Sequence, residues 1–226
     1  MRGHLWLSVL LLLGGCSHLP GSVAQLQRFK DAEVNKTYSA IEAESVSSDC
    51  TPGAGSSDAV CAQINEIHAR ACMQLAREQT AATAACPPSS ARSLLDCAAA
   101  GFAAVKDSTE FSPSQRQDNA EMQARALYCG ATLRDAVDGV PMAQQAAAAL
   151  AALPPNPGRD QLAASALLFI AIRGQNPSAR CDAARQAAQL AQRGAAENPS
   201  PDMAAALQSV HRNALQAAAN LPDCRL

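Results

Sequence analysis

Nine cysteines give this chain of 226 residues most of its latent chemistry. Eight of them, Cys50, Cys61, Cys72, Cys86, Cys97, Cys129, Cys181 and Cys224, are spread from residue 50 to near the end. Zinc sites built from cysteine draw on close pairs such as Cys-x2-Cys, and no such pair occurs here. Oxidised bridges are therefore expected, with no metal and no other cofactor. Four disulfides are the leading expectation, and three with free thiols the alternative. The most informative spacing is Cys61-x10-Cys72-x13-Cys86-x10-Cys97. Eleven residues carry an α-helix through about 1100°, about 20° past three full turns, so Cys61 and Cys72 share a face. In an antiparallel hairpin, facing residues keep a constant sum of residue numbers. That holds both for 61 with 97 and for 72 with 86. One register therefore predicts Cys61–Cys97 and Cys72–Cys86, given that bridged Cα atoms lie within about 7 Å. A returning last helix predicts Cys181–Cys224, which leaves Cys50–Cys129 by elimination.

Residues for acid–base work are sparser. His68 stands four before Cys72 on one predicted helix, a conceivable ligand pair, although a surface histidine beside a bridged cysteine is the simpler reading. His211 has no acid or cysteine close in sequence, and His18 sits in a short tether. Glu66, Glu78, Asp96 and Glu110 would form a site only if the fold collected them. No Gly-x-Ser-x-Gly elbow and no His-Glu-x-x-His helix is present. No catalytic residue is assigned. An enzyme assembled from dispersed acids or histidines remains the alternative to a binding role.

The ninth cysteine has its own context. A short basic start is followed by an apolar run, Leu5 to Leu13, and then Gly14-Gly15-Cys16. This is the layout of a secretory signal, and the run is far too short to span a bilayer. Leu13-Gly14-Gly15-Cys16 resembles the bacterial lipobox. The resemblance implies cleavage before Cys16, a diacylglyceryl thioether on its sulfur and usually an acyl chain on its new amine. Residues 1–15 would then be a signal peptide and 16–21 a lipidated tether. Ser17 follows, where aspartate would be the family's inner-membrane retention signal, so the implied location is the periplasmic face of the outer membrane. Removing Cys16 to lipid leaves an even number of cysteines in an exported chain, which agrees with a disulfide framework.

Composition bounds the partners. Cleavage would move the net charge from −2 to about −3, too balanced for nucleic-acid binding. Aromatic residues make up only 3%, which argues against base-stacking platforms.

The remaining pattern is helical. A helix is expected over 22–47, opened by a Ser22–Gln25 capping box, with residues 49–57 as a loop. Together, 22–57 form an N-terminal helix and loop, and 58–226 a disulfide-stapled helical domain. Further helices are expected at 58–80, from Ser89 or Ser90 to Val105, from a Ser114–Gln117 capping box to Val137, and at 142–153 after a turn at Asp138–Pro141. Pro154–Gly158 breaks the chain before an apolar core helix, Leu162 to Ile172. Asn-Pro-Ser recurs at 176–178 and 198–200, with Ser178 and Ser200 expected as N-caps of helices at 179–194 and 201–220. The expected class is all-α: antiparallel hairpins in a repeat-like array or an irregular bundle.

Two further resemblances bear on this. Residues 61–97 resemble the twin CX9C hairpins of coiled-coil–helix–coiled-coil–helix proteins, with ten intervening residues in place of nine. The run Ala126-x2-Cys129-Gly130-x2-Leu133-x8-Met142-x3-Ala146-x2-Ala149-x4-Pro154 resembles one tetratricopeptide unit, keeping its glycine, small residues and proline but not its aromatics. That resemblance implies a groove faced by Leu127, Arg134 and Asp135. The functional expectation is a non-enzymatic, membrane-anchored periplasmic lipoprotein that binds an envelope protein or aids envelope assembly. Its partners would be membrane lipid through acylated Cys16 and a protein, not nucleic acid.

Overall fold

Helix starts in this chain are written in Ser-Pro and Asn-Pro pairs. Proline at the first helical position sacrifices an N–H that has no partner anyway, and the preceding Ser or Asn caps a free donor. Ser112-Pro113, Asn156-Pro157, Asn176-Pro177 and Ser200-Pro201 each open a helix this way. The computed structural model describes residues 21–50, 59–81, 84–222 and 224. Among these residues there are nine α-helices and no strand. They are α1 (Gly21–Val34), α2 (Tyr38–Ala43), α3 (Ala59–Glu78), α4 (Arg92–Val105), α5 (Pro113–Thr132), α6 (Ala136–Ala151), α7 (Pro157–Arg173), α8 (Pro177–Ala196) and α9 (Pro201–Ala219). From α3 onward each helix packs on the next, and α7 also touches α5 and α9. The result is an all-α array of hairpins, with α1 and α2 laid against α3.

The first expected helix is two. α1 ends in a Schellman arrangement: the Thr37 N–H bonds the Ala32 carbonyl and the Lys36 N–H bonds that of Glu33. Lys36 occupies the left-handed position with φ 56°, which glycine or asparagine normally fills. With lysine there, the sequence carries no stop signal, and Val34 is left 82% exposed. Gln25 is no capping residue. Its side chain is buried, donates to the Ser45 carbonyl at 2.8 Å and accepts from the Ser47 N–H at 2.8 Å, tying down the segment after α2.

Two other boundaries move. α5 starts at Pro113 with a capping box between Ser112 and Gln115, two residues before the expected one, because the proline is preset for the first turn. The turn expected at Asp138–Pro141 lies inside α6. Asp135 caps that helix by accepting from the Val137 and Asp138 N–H groups at 3.0 and 3.1 Å. Gly139 is there for packing: a Cβ on it would fall 2.7 Å from the Ala131 carbonyl oxygen and 3.1 Å from the Phe169 ring. Asn176, not Ser178, caps α8. Ser200 caps α9 as expected, accepting from the Met203 N–H.

Four bridges staple the array, and three differ from the expected pairs. They are Cys50–Cys61, Cys72–Cys97, Cys86–Cys129 and Cys181–Cys224, with Cα separations of 5.1, 6.1, 5.3 and 5.5 Å. Cys61–Cys97, Cys72–Cys86 and Cys50–Cys129 do not form. The α3–α4 register is set by Gly101, where a Cβ would come within 2.8 Å of the Ala69 Cβ, and not by symmetry about the turn. That register places Cys72 beside Cys97. Cys86 lies outside both helices, in the connection between them, and reaches across to α5. Cys61, at the start of α3, bonds back to Cys50. Cys181 and Cys224 meet because α8 and α9 run antiparallel, as expected.

No helix of the described residues is long and apolar enough to cross a membrane. Cys16, His18, the expected signal peptide and all of the expected tether but Gly21, which opens α1, lie outside the described residues.

Candidate functional site

The three residues expected to face a groove are committed to the fold. Leu127 is buried in the main apolar core. Arg134 is almost covered. Its Nη2 donates to both Asp96 carboxylate oxygens at 2.6 Å, and its Nη1 to the Gly130 carbonyl at 2.8 Å. Asp135 is the α6 cap. The tetratricopeptide spacing therefore misplaces the open surface, because the α5–α6 turn falls earlier than its pattern requires.

The open concave surface lies one hairpin further along, where α6, α7 and α8 enclose a cavity of about 770 Å³. That is within the size range of sites taking drug-sized molecules or short peptide stretches. Its apolar lining includes Leu150 from α6, Ala163, Leu167 and Ile170 from α7, and Ala183 and Leu190 from α8. Alanines line much of it because α7 packs against α8 through small residues, and small residues leave room above the contact. Exposed carboxamides edge it: Gln144 from α6, and Gln186 and Gln189 from α8.

One end is closed by ion pairs. Asp160, on the first turn of α7 and 2% exposed, accepts from Arg193 Nε at 2.8 Å and from its Nη2. That hydrogen bond is the main reason the Arg193 guanidinium holds its proton even more firmly than usual. α7 and α8 approach closely here at Gly194, where a Cβ would fall 3.0 Å from that of Asp160. Arg159 turns the other way, donating from Nε to Glu121 at 2.9 Å and from Nη1 to the Pro154 carbonyl at 2.9 Å. Both cations are thus matched by carboxylates, and exposed Asp182 on α8, 3.5 Å from Arg185, adds a charged pair to a rim of carboxamides above the apolar floor. Such a surface suits uncharged or apolar chain segments, with carboxamides able both to donate to and accept from a peptide backbone. Sequence reasoning missed this site. Asp160 and Arg193 stand 33 residues apart, and no local pattern pairs them.

Three of the four dispersed acids are engaged separately, and Glu110 is exposed. Asp96 holds Arg134, Glu66 lies 4.0 Å from Arg70, and Glu78 accepts from Gln74. His211 sets Nδ1 3.1 Å from the Ala188 carbonyl oxygen. His68 is not the surface residue expected. It is partly buried, stacked on Phe29 with ring centroids 6.1 Å apart, and its Nδ1 lies 3.5 Å from Cys97 Sγ.

Set against protein-family models, curated proteins and solved structures, the chain matches none. The fold and the groove define a class, an all-α array of disulfide-stapled hairpins with a concave apolar face.

Proposed function

We propose that this chain is a lipid-anchored envelope protein that binds a segment of another protein, without catalysis, in the groove between α6, α7 and α8. The groove carries this reading: an apolar floor, a rim of glutamines, and charged side chains that each have an oppositely charged neighbour within the fold. The lipobox resemblance at Leu13–Cys16 supplies the anchor, with two or more acyl chains giving stable attachment where one would be marginal. Ser17 directs the anchored protein to the outer membrane, and four disulfides suit the oxidising periplasm. A short tether would then hold α1 close to the membrane surface and leave the groove between α6, α7 and α8 further along the array.

A photo-crosslinking residue placed at Gln186 or Gln144, in cells that lipidate the protein, tests the groove. Adducts of one size at both positions, and none at exposed Arg173 outside the groove, are the expected result. Equal labelling at all three, or none at the groove positions, overturns the binding surface. Cys16→Ala should abolish acyl labelling and release the protein from membranes. Unchanged labelling in that variant overturns the anchor and leaves the groove to stand on its own.

A further inference from the structure

Charge is balanced inside the groove, but not beyond its Arg159 end. Arg159 Nε donates to Glu121 on α5 at 2.9 Å, and Arg125, one turn along α5, brings Nη2 to 3.7 Å from the same carboxylate. One carboxylate thus serves two guanidiniums. The Arg125 Nε is buried with no acceptor, so the fold supplies this side chain with little else. Arg77, in the last turn of α3, comes to the same place: its Nη2 lies 3.8 Å from the Met122 sulfur, one turn before Arg125. Among the described residues no carboxylate pairs with Arg77, and the adjacent Glu78 accepts from Gln74 instead. Partial desolvation, and then the like charge of Arg125, make the Arg77 guanidinium hold its proton less firmly than usual. Three arginines therefore meet one carboxylate, while the chain as a whole carries −2. The positive surplus is local, and like charges brought together cost stability that an external anion would restore.

Acidic side chains of a protein and anionic lipid headgroups both offer such an anion, and the fold favours the first. The chain enters α1 at Gly21, beside Asp49, whose neighbour Cys50 is bridged to Cys61 at the start of α3. α1 then runs along α3 and reaches Arg70 through Glu33 at 2.9 Å. Arg77 stands about 24 Å along α3 from Cys61, at 1.5 Å per residue. A lipid tether ending at Gly21 therefore lies at the opposite end of α3 from the arginines. The groove, in contrast, adjoins them, since Arg159 lines it and shares Glu121 with Arg125.

We propose that the protein segment seated in the groove carries acidic side chains just outside it, and that Arg77 and Arg125 bind them. This rests on the groove reading above and adds the chemistry of the partner. The apolar residues of the segment lie between α6, α7 and α8, and its carboxylates cross α5 to the arginine pair. Arginine suits the task, because a planar guanidinium takes a carboxylate through two parallel N–H···O bonds. Charge at one end of an otherwise apolar groove also fixes which way the segment lies.

The test places a photo-crosslinking residue at Gln186 in the groove or at Gln74 beside Arg77, in the full chain in cells. Both positions should capture the same protein. The peptide joined to Gln74, sequenced by mass spectrometry, should contain aspartate or glutamate next to the stretch joined to Gln186. Arg77→Glu should lower the Gln186 adduct about tenfold, the size of one lost charge-assisted contact. Its melting temperature should not fall, because the change removes a repulsion. Arg125→Gln serves as a second variant, and Arg173→Glu, a reversal away from the arginine pair, should leave the adduct as it was. No Gln186 adduct in the native chain overturns the groove reading and this proposal with it. A Gln186 adduct that survives both Arg77→Glu and Arg125→Gln, or falls equally in Arg173→Glu, overturns this proposal alone. So does a Gln74 peptide without acidic residues. Sedimentation of the purified Cys16→Ala chain with phosphatidylglycerol vesicles, lost in Arg77→Glu, would assign the arginines to the membrane and also overturn it.

Discussion

At the N-terminal end, α1 and α2 are held to α3 by Leu26, Phe29, Ile41, Ile64 and Ile67. At the C-terminal end, α7, α8 and α9 meet through Ala164, Ala184, Ala187, Ala188, Ala191 and Ala214, with Leu207 and Val210 as the larger members. The two regions reach similar burial with very different apolar area per residue. Large side chains contribute more each when buried, on the order of 1.5–3 kcal/mol apiece. Alanine contributes little alone but lets helix axes approach closely and leaves a groove unfilled. The alanine region therefore leans on other devices: Asn-Pro and Ser-Pro caps, the buried Asp160–Arg193 pair and the Cys181–Cys224 bridge. An open groove follows naturally from the alanine-rich end, and a ring stack from the bulky one.

That contrast can be broken experimentally. The largest effect is expected from Phe29→Ala, which should cost about 3–5 kcal/mol in chemical denaturation because Phe29 is 1% exposed in a core of few members. A loss under 1 kcal/mol would show that the N-terminal cluster is not held by its large side chains. Next comes the double change Cys181→Ser with Cys224→Ser. It should cost about 2–4 kcal/mol, chiefly by freeing the unfolded chain. If thermal unfolding of this variant matches the native protein, the alanine region is self-sufficient and the comparison fails.

Asn176→Ala should cost about 1 kcal/mol, because it strips the Ser178 and Ala179 N–H groups of their acceptor. Amide exchange should speed up in the first turn of α8 before it does so in α3. The smallest effect sharpens the picture at Glu66 on α3. Burial first, and then the like charge of Glu33, raise its carboxyl above the usual range, against the pull of Arg70. Since the folded value is raised, ionising Glu66 penalises the fold. Stability from this group is full at low pH and falls as pH rises from the ordinary carboxylate range through the raised value. Glu66→Gln should therefore match the native protein in acid and exceed its stability at neutral pH. A variant less stable at neutral pH would mean that the Arg70 attraction outweighs burial.

Pattern reasoning found the helices best where the chain punctuates itself. Ser200-Pro201 and the apolar stretch from Leu162 to Ile172 were legible because caps and core runs are local signals. Boundaries failed where one residue served against its type. Lys36 ends α1 from a left-handed position, and Gly139 and Pro141 look like a turn yet sit within α6. The disulfide pairs show the same division. Cys181–Cys224 follows from two helices joined by a short turn, where contiguity leaves little freedom. The α3–α4 bridges do not, because a long connection lets the register slide until Gly101 seats on Ala69.

What the sequence by itself determined is the all-α class, the cysteine-stapled character and the absence of familiar catalytic motifs. Each depends on residue type and short-range spacing, which need no partner in space. Only the tertiary structure decided which sulfurs meet, that Arg134 serves Asp96, that α6, α7 and α8 open into a groove, and that His68 lies against Cys97 and Phe29. These depend on helix register, and register is chosen by small-residue contacts between segments far apart in the chain, where alanine-rich periodicity allows several nearly equal alignments.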